Sequence, residues 1–357
     1  MSTYPTYKLG DVAEIINGKN QKEVVSPQGK YPIYGSGGII GWATDYLCKE
    51  NSTIIGRKGT IDSPIFVNRK FWNVDTAFGI QPSEKVLPRY LFFFCKSFDF
   101  KKLDKSTTIP SLAKRDLLQI PIPLPPLATQ HAIVSRIETL FAELDKGVEH
   151  LCTAQQQIKT YRQAVLNHWL NNDEGKWEMV KLKDCTKKIF AGGDVPKNNF
   201  SETKTEKYRI PIYANAVKQK GLYGYTDVSR VNEPCVTIAG RGSGTGHTEI
   251  REEPFFPIVR LIVIIPSDNL NNSFLKYMVD SKTMAITGSA IPQLTVPTVE
   301  EYEFSLPPLA EQQRIVAEIE SRLSQATASE TYIENALQQA EALRQSILKK
   351  AFSGELI

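Results

Sequence analysis

Two short loops carry the residues best suited to hold an anion. "GRKGT" (Gly56–Thr60) and "GRGSGT" (Gly240–Thr245) each set arginine or lysine among glycines. Glycine lets a backbone approach a ligand closely, while Arg57, Lys58 and Arg241 offer forked or point-charge donors that match phosphate oxygens and guanine edges. Thr60, Ser243 and Thr245 add hydroxyls to the same loops. The plainer alternative is a tight hairpin whose arginine is solvated or paired internally; recurrence of the loop favours a contact surface. Further donors could line the same face. They are Lys19, Lys22, Arg69, Lys101, Lys102 and Lys105 in the first half, and Lys187, Lys188, Lys204, Lys207, Lys218 and Lys220 in the second. Taken singly, each of these is more simply an ordinary solvated cation.

No catalytic constellation accompanies the loops. The chain has no Gly-x-x-x-x-Gly-Lys-Ser/Thr loop, no Gly-x-Ser-x-Gly elbow, no strand-linked Gly-x-Gly-x-x-Gly with its downstream acid, and no Asn/Asp/Ser-Pro-Pro-aromatic motif. Gly240–Gly246 could be read as a phosphate cradle, but neither a P-loop lysine nor a helix-forming run follows it. His131, His150, His168 and His247 are scattered, and no His-Glu-x-x-His occurs, so no metal site is expected. Cys48, Cys95, Cys152, Cys185 and Cys235 are odd in number and contain no Cys-x-x-Cys pair, which points to free thiols in a reducing compartment. The start of the chain lacks a signal pattern, and the longest apolar run, "YLFFFC", is too short to span a bilayer. The expectation is a cytoplasmic binding protein, not an enzyme, with no cofactor of its own and no membrane partner.

Charge is informative in its distribution. The net charge of +4 divides into +6 over residues 1–126, zero over 127–172, zero over 173–308 and −2 over 309–357. Basic charge therefore gathers in the first globular segment. In 173–308 the acids are partly bunched, at Glu249, Glu252 and Glu253 and at Glu300, Glu301 and Glu303, which leaves room for a basic face. A solvated mixed-charge surface is the competing reading.

What must position the loops is a duplicated scaffold. "LPPLATQHAIVSRIETL" from Leu124 returns as "LPPLAEQQRIVAEIESR" from Leu306, 182 residues later, and the register holds through Arg162/Arg344, Gln163/Gln345 and Leu166/Leu348. The proline strings Ile120–Ala128 and Phe304–Ala310 end a globular segment and open a helix. From Leu127 to about Leu170 there is no proline, and apolar residues recur every seven positions at Ile137, Leu144, Leu151, Ile158 and Val165. Ile319, Ala326, Ile333, Ala340 and Ile347 repeat the seam. Leu140, Ala154 and Tyr161, with Ala336 and Leu343 in the second copy, are expected to fill intervening seam positions. Each helix should reach about 66 Å, too long to bury its seam against a small domain, so the two are expected to pack antiparallel on each other.

The globular segments also match. "YKLGDVAEI" resembles "VKLKDCTKKI", "YPIYGSGG" resembles "RIPIYANA", and "TTIPSLAKRDL" resembles "SAIPQLTVPTV". Their β-branched runs, glycine-rich loops and single helical stretches (Pro88–Phe98, Asn272–Ser281) predict α+β folds. The expected boundaries are 1–126 and 173–308 for the globular domains, with 127–172 and 309–357 for the helices.

Together these features resemble the specificity subunit (HsdS) of type I restriction-modification systems, over essentially the whole chain. The most specific marks are the paired Pro-Pro-Leu strings with Gln130 and Gln312, the terminal "ILKKAFSGEL", and "GRKGT" with the downstream "VDTAFGI" (Val74–Ile80). The second copy departs from the pattern, with "FPIVRLIVII" in place of "VDTAFGI". The resemblance implies two target-recognition domains joined by two long antiparallel helices in a pseudo-two-fold repeat. Each domain would read one half of a bipartite, asymmetric site in double-stranded DNA, and the helices would fix the spacer. It further implies two copies of an adenine methyltransferase subunit, each using S-adenosylmethionine on a flipped base, and restriction subunits in the full complex. Three other readings stay open on the residues alone: a specificity-like subunit of another phage-defence methyltransferase or a silent recombination donor copy, a coiled-coil scaffold that binds protein, and, least supported because its motifs are missing, a nuclease or methyltransferase in its own right.

Overall fold

The computed structural model describes residues 4–171, 177–196, 199–242, 244–286 and 293–357. These form two compact units, each assembled from two stretches of chain or one continuous one: residues 1–152 with 334–357, and residues 153–333.

The first unit runs through β1 (Thr6–Lys8), α1 (Leu9–Val12), β2 (Ala13–Asn17), β3 (Tyr31–Gly35), β4 (Gly38–Ala43), β5 (Ser52–Gly56), β6 (Ile65–Val67), β7 (Trp72–Asn73), β8 (Ala77–Pro82), α2 (Pro88–Ser97), α3 (Lys114–Leu118), β9 (Pro121–Pro123) and the start of α4 (Leu127–Asn171). The second holds β10 (Glu178–Lys181), β11 (Thr186–Ala191), β12 (Ile210–Tyr213), β13 (Leu222–Thr226), β14 (Cys235–Ala239), β15 (Thr248–Arg251), β16 (Phe256–Pro257), β17 (Leu261–Pro266), α5 (Asn272–Ile286), α6 (Val296–Glu300), β18 (Glu303–Leu306) and the start of α7 (Leu309–Ser353). Strand order is the same in both. A four-stranded sheet β2-β8-β5-β6 matches β11-β17-β14-β15, a three-stranded sheet β4-β3-β7 matches β13-β12-β16, and a two-stranded ribbon β1-β9 matches β10-β18.

Alternation along the strands builds three layers. In β5, Ile55 packs with the helices beside Phe78, Tyr90 and Leu91, while Ile54 faces Phe71 and Val67 on the other side. In β17, Ile262 and Ile264 join Phe274, Leu275 and Met278 of α5, whereas Leu261, Val263 and Ile265 join Tyr213 and Phe255. A period of two on a sheet covered on both faces explains why these strands read as continuous apolar runs. The helical layer includes Ile133 and Ile137 of α4 with Leu348 and Phe352 of α7 in the first unit. In the second it includes Leu166 and Leu170 of α4 with Ile315 and Ile319 of α7.

Within each unit the two long helices run antiparallel. Arg344 pairs with Asp145 in the first. Arg162, its counterpart 182 residues earlier, pairs with Glu330 at 2.8 Å and donates to Thr327 Oγ1 at 2.7 Å in the second. Thr327 is itself the repeat of Asp145, so two related arginines reach related positions. Along the seam, Ile137, Val165, Ile319, Ala326, Ile333, Ala340 and Ile347 are buried, and Leu144, Leu151 and Ile158 are half-buried. The intervening positions correct the sequence-based expectation at two places. Tyr161 is 46% exposed and Leu343 51% exposed. One position on from each, Arg162 and Arg344 make ion pairs between the two helices.

A buried glutamine ties each α+β domain to its long helix. Gln130 accepts from the Leu87 amide at 2.9 Å, ahead of α2, and donates to the carbonyls of Lys85 and Pro125 at 3.0 and 2.9 Å. Gln312 accepts from the Asn271 amide and donates to the carbonyls of Asn269 and Pro307, all at 2.8 Å. Both side chains are fully buried. Three polar groups per site are thus satisfied where a domain helix, a proline string and a long helix meet.

Candidate nucleic-acid interface

The two loops leave the same end of the two equivalent sheets. β5 ends at Gly56, paired with Ala77, and β14 ends at Ala239, paired with Leu261. At that end β2 also finishes, and the Gly18 amide donates to the Ala77 carbonyl at 3.2 Å; the Gly192 amide donates to the Leu261 carbonyl at 2.8 Å. Backbone hydrogen bonds from a leucine brace each loop. The Leu112 amide donates to the Arg57 carbonyl and the Leu294 amide to the Gly240 carbonyl, each at 2.9 Å, and the Gly59 amide donates to the Pro110 carbonyl at 2.9 Å. A Cβ at Gly56 would sit 1.8 Å from the Thr60 carbonyl oxygen, so the turn closes only over glycine.

These anchors shift the correspondence between the copies by one residue. Arg57 occupies the position of Gly240, and exposed Lys58 that of exposed Arg241. Arg57 is half-buried, donates from Nη1 to the Asp75 carbonyl at 3.3 Å, and has its Cζ 5.9 Å from the centre of the Phe78 ring. It braces the loop, and its remaining guanidinium donors are available at the rim. Thr60 is exposed, whereas Thr245 Oγ1 donates to the Gly242 carbonyl at 2.7 Å. Ser243 lies outside the described residues.

Other candidates divide by position. Lys19 leaves the end of β2 at this same sheet end, its amide donating to the Asn73 carbonyl at 3.0 Å, and Lys22 follows in a turn accepted by Asn20. Lys218 and Lys220 lie in the β12–β13 turn, which Asn215 joins to the Arg241 loop by accepting from the Gly240 amide at 2.7 Å and donating to the Arg241 carbonyl at 2.8 Å. Arg69 sits at the far end of the first sheet, beyond Val67, which pairs with Ser52. Lys101, Lys102, Lys105, Lys187 and Lys220 carry carboxylate partners in Asp62, Asp99, Asp116, Asp268 and Glu249, which offsets their charge locally.

Four residues around these turns were not singled out from the sequence. Arg260 is exposed next to Val259 in a turn where both residues are left-handed, at φ 58° and 48°. Its carbonyl lies 3.1 Å from where a Gly240 Cβ would be. A β-branched residue in that region is strained, which marks the turn as over-determined by its surroundings. Ile39 and Ile40, 55% and 58% exposed, follow the Ser36–Gly38 turn, and Ser36 in turn lies against Gly56 and Gly59. Arg251, on β15, is buried and donates to the Lys220 carbonyl of the β12–β13 turn. The signal for Arg260 was the departure "FPIVRLIVII" itself; nothing in the sequence distinguishes Ile39, Ile40 or Arg251.

The arrangement can bind an anionic backbone and read polar edges; nucleophilic chemistry has no support in it. Burial pushes the thiols of Cys48, Cys95 and Cys235 up to about 12 and that of Cys185 to about 11, far from the thiolate that a nucleophile requires. No helix among the described residues is long and apolar enough to cross a membrane.

Comparison with known proteins agrees across the chain. The family model for the type I restriction modification DNA specificity domain matches residues 1–150 and 174–339. The chain is 27% identical over 323 residues to a putative type I specificity subunit of Mycoplasma pneumoniae, covering 88% of each. It is 23% identical to the type I restriction enzyme EcoDI specificity subunit of Escherichia coli, covering 99% of this chain and 88% of that one. Among solved structures, it shares its fold with a chain from a study of complex assembly and conformational transition of the type I R-M system, with a TM-score of 0.77 at 19% identity, covering 99% and 98% of the two chains. HsdS of Thermoanaerobacter tengcongensis matches with a TM-score of 0.51 at 19% identity over 99% and 97%.

Proposed function

The chain belongs to the type I restriction-modification DNA specificity family, as a non-catalytic specificity subunit, and from that premise we propose that it reads the two halves of a bipartite, asymmetric DNA site. One observation carries the reading. A cation-bearing loop leaves the same end of two sheets of identical strand order, and in each a leucine amide, of Leu112 or Leu294, holds the loop's first carbonyl. Lys58 with Arg57 and Lys19 serves the first half-site; Arg241 with Lys218, Lys220 and Arg260 serves the second. Phosphate contacts from these side chains set register, and contacts to base edges in the groove set sequence.

Two copies of an adenine methyltransferase subunit dock on the repeated helices, and restriction subunits join that core in the cytoplasm. S-adenosylmethionine belongs to the methyltransferase. The long helices, 45 residues each or about 68 Å, set the unspecified spacer. The test is a DNA titration of the chain assembled with its methyltransferase subunit at increasing salt. The expected result is an affinity for duplex that falls linearly in log–log form as phosphate contacts release counterions. An assembled complex with no salt-dependent affinity for DNA would leave a protein-binding scaffold instead.

A further inference from the structure

The β12–β13 turn is held in a conformation that its residues disfavour. Gln219 and Lys220 are both left-handed, at φ 50° and 54°, ahead of Gly221 at φ 79°. Left-handed backbone is unfavourable for any residue with a Cβ, so the surroundings must over-determine the turn. Arg251 supplies that constraint. It lies on β15 with 5% of its surface exposed, and its Cζ sits 3.6 Å from the centre of the Tyr213 ring. Its Nε donates to Thr237 Oγ1 at 3.3 Å and its Nη2 to the Lys220 carbonyl at 2.5 Å. Tyr213 is fixed in turn by donating its hydroxyl to Glu253 at 3.0 Å. A buried guanidinium is tolerated only when its donors are used; here one of them is spent on the backbone of the strained turn.

The first unit has no such brace among its described residues. Arg251 pairs with Cys235 where Val67 pairs with Ser52, and the corresponding β3–β4 turn is built on glycine, with Gly38 at φ 130°. The braced turn carries exposed Lys218 and Lys220, the latter with its Nζ 3.9 Å from Glu249, and is linked to the Arg241 loop through Asn215.

We propose that Arg251 is a positioning residue for DNA reading by the second domain: it holds the Lys218–Lys220 turn in place against the Arg241 loop, and so shapes the preference for the second half-site without touching DNA. The proposal rests on the assignment of those loops to DNA contact. It is tested on the complete complex with its methyltransferase subunit, using a duplex that carries the site identified by methylation mapping and two duplexes altered in one half each. Arg251→Met should lower affinity for the intact site about tenfold and flatten discrimination at the second half, with discrimination at the first half unchanged. Adding Gln219→Gly should recover much of the loss, because glycine adopts the left-handed conformation freely; a general weakening of the domain would not be rescued this way. If Arg251→Met does not fold, Arg251→Lys, which keeps the charge and loses the fork, is read identically with a partial loss expected. Wild-type affinity and second-half discrimination in a folded Arg251 variant would overturn the proposal. A wild-type complex that binds DNA without preferring either half would overturn the DNA-reading assignment beneath it.

Discussion

Among the basic residues, position in the turn decides what each side chain can do. Arg57 and Arg241 look alike in sequence, yet the hydrogen bonds from Leu112 and Leu294 align Lys58, not Arg57, with Arg241. A shift of one residue in an extended segment turns a side chain to the other face; here it puts one arginine against Phe78 and the other in solvent. Lys58→Ala should therefore weaken binding to all sequences and reduce the salt slope by about one. Arg57→Ala should weaken binding through the first half-site alone, by loosening the loop. Titrations of both variants against duplexes altered in either half would check this, and an Arg57→Ala complex with unchanged affinity and motif would remove the residue from the interface. The glycines and cations of the loops were legible in the sequence because their chemistry is local. Arg251 was not, since a buried guanidinium differs from a solvated one only in what the fold brings around it.

At the scale of elements, the two long helices were legible in the sequence, though the second ends at Ser353 and not at the chain's last residue. A seven-residue apolar period without proline fixes both their existence and their contact face, and proline strings mark where they begin. What the period could not give was which intervening positions the partner helix covers: Tyr161 and Leu343 are exposed, while Arg162 and Arg344 make ion pairs. The role of Gln130 and Gln312 was equally hidden: the pattern marked them as a repeated pair, but their three hydrogen bonds each depend on where α2 and α5 arrive. These locks make each domain follow its own helix. Inserting four residues, about one turn, near Leu144 should accordingly lengthen the spacer of the recognised site and leave both half-sites unchanged. Methylation mapping of the variant complex would read the outcome directly, and altered half-sites with an unaltered spacer would refute the role of the helices as a ruler.

For the whole molecule, duplication is the organising fact, and it is legible in the sequence because the helices keep a constant offset of 182 residues. The domains drifted further, since loops tolerate insertion where helix seams do not, and their shared strand order emerges only from pairing: β2-β8-β5-β6 against β11-β17-β14-β15. On the proposed reading, two domains of one architecture but different surface chemistry, one with Lys58 and glycine turns and the other with Arg241, Arg260 and a braced lysine turn, suit a site whose halves differ. The measurement that tests this account most directly is adenine methylation across the host genome, by single-molecule sequencing, in the parent strain and in one lacking only this reading frame. The account predicts the loss of a single bipartite motif with two dissimilar half-sites and a fixed spacer. Unchanged methylation in a parent strain that expresses both the chain and its methyltransferase subunit would contradict it.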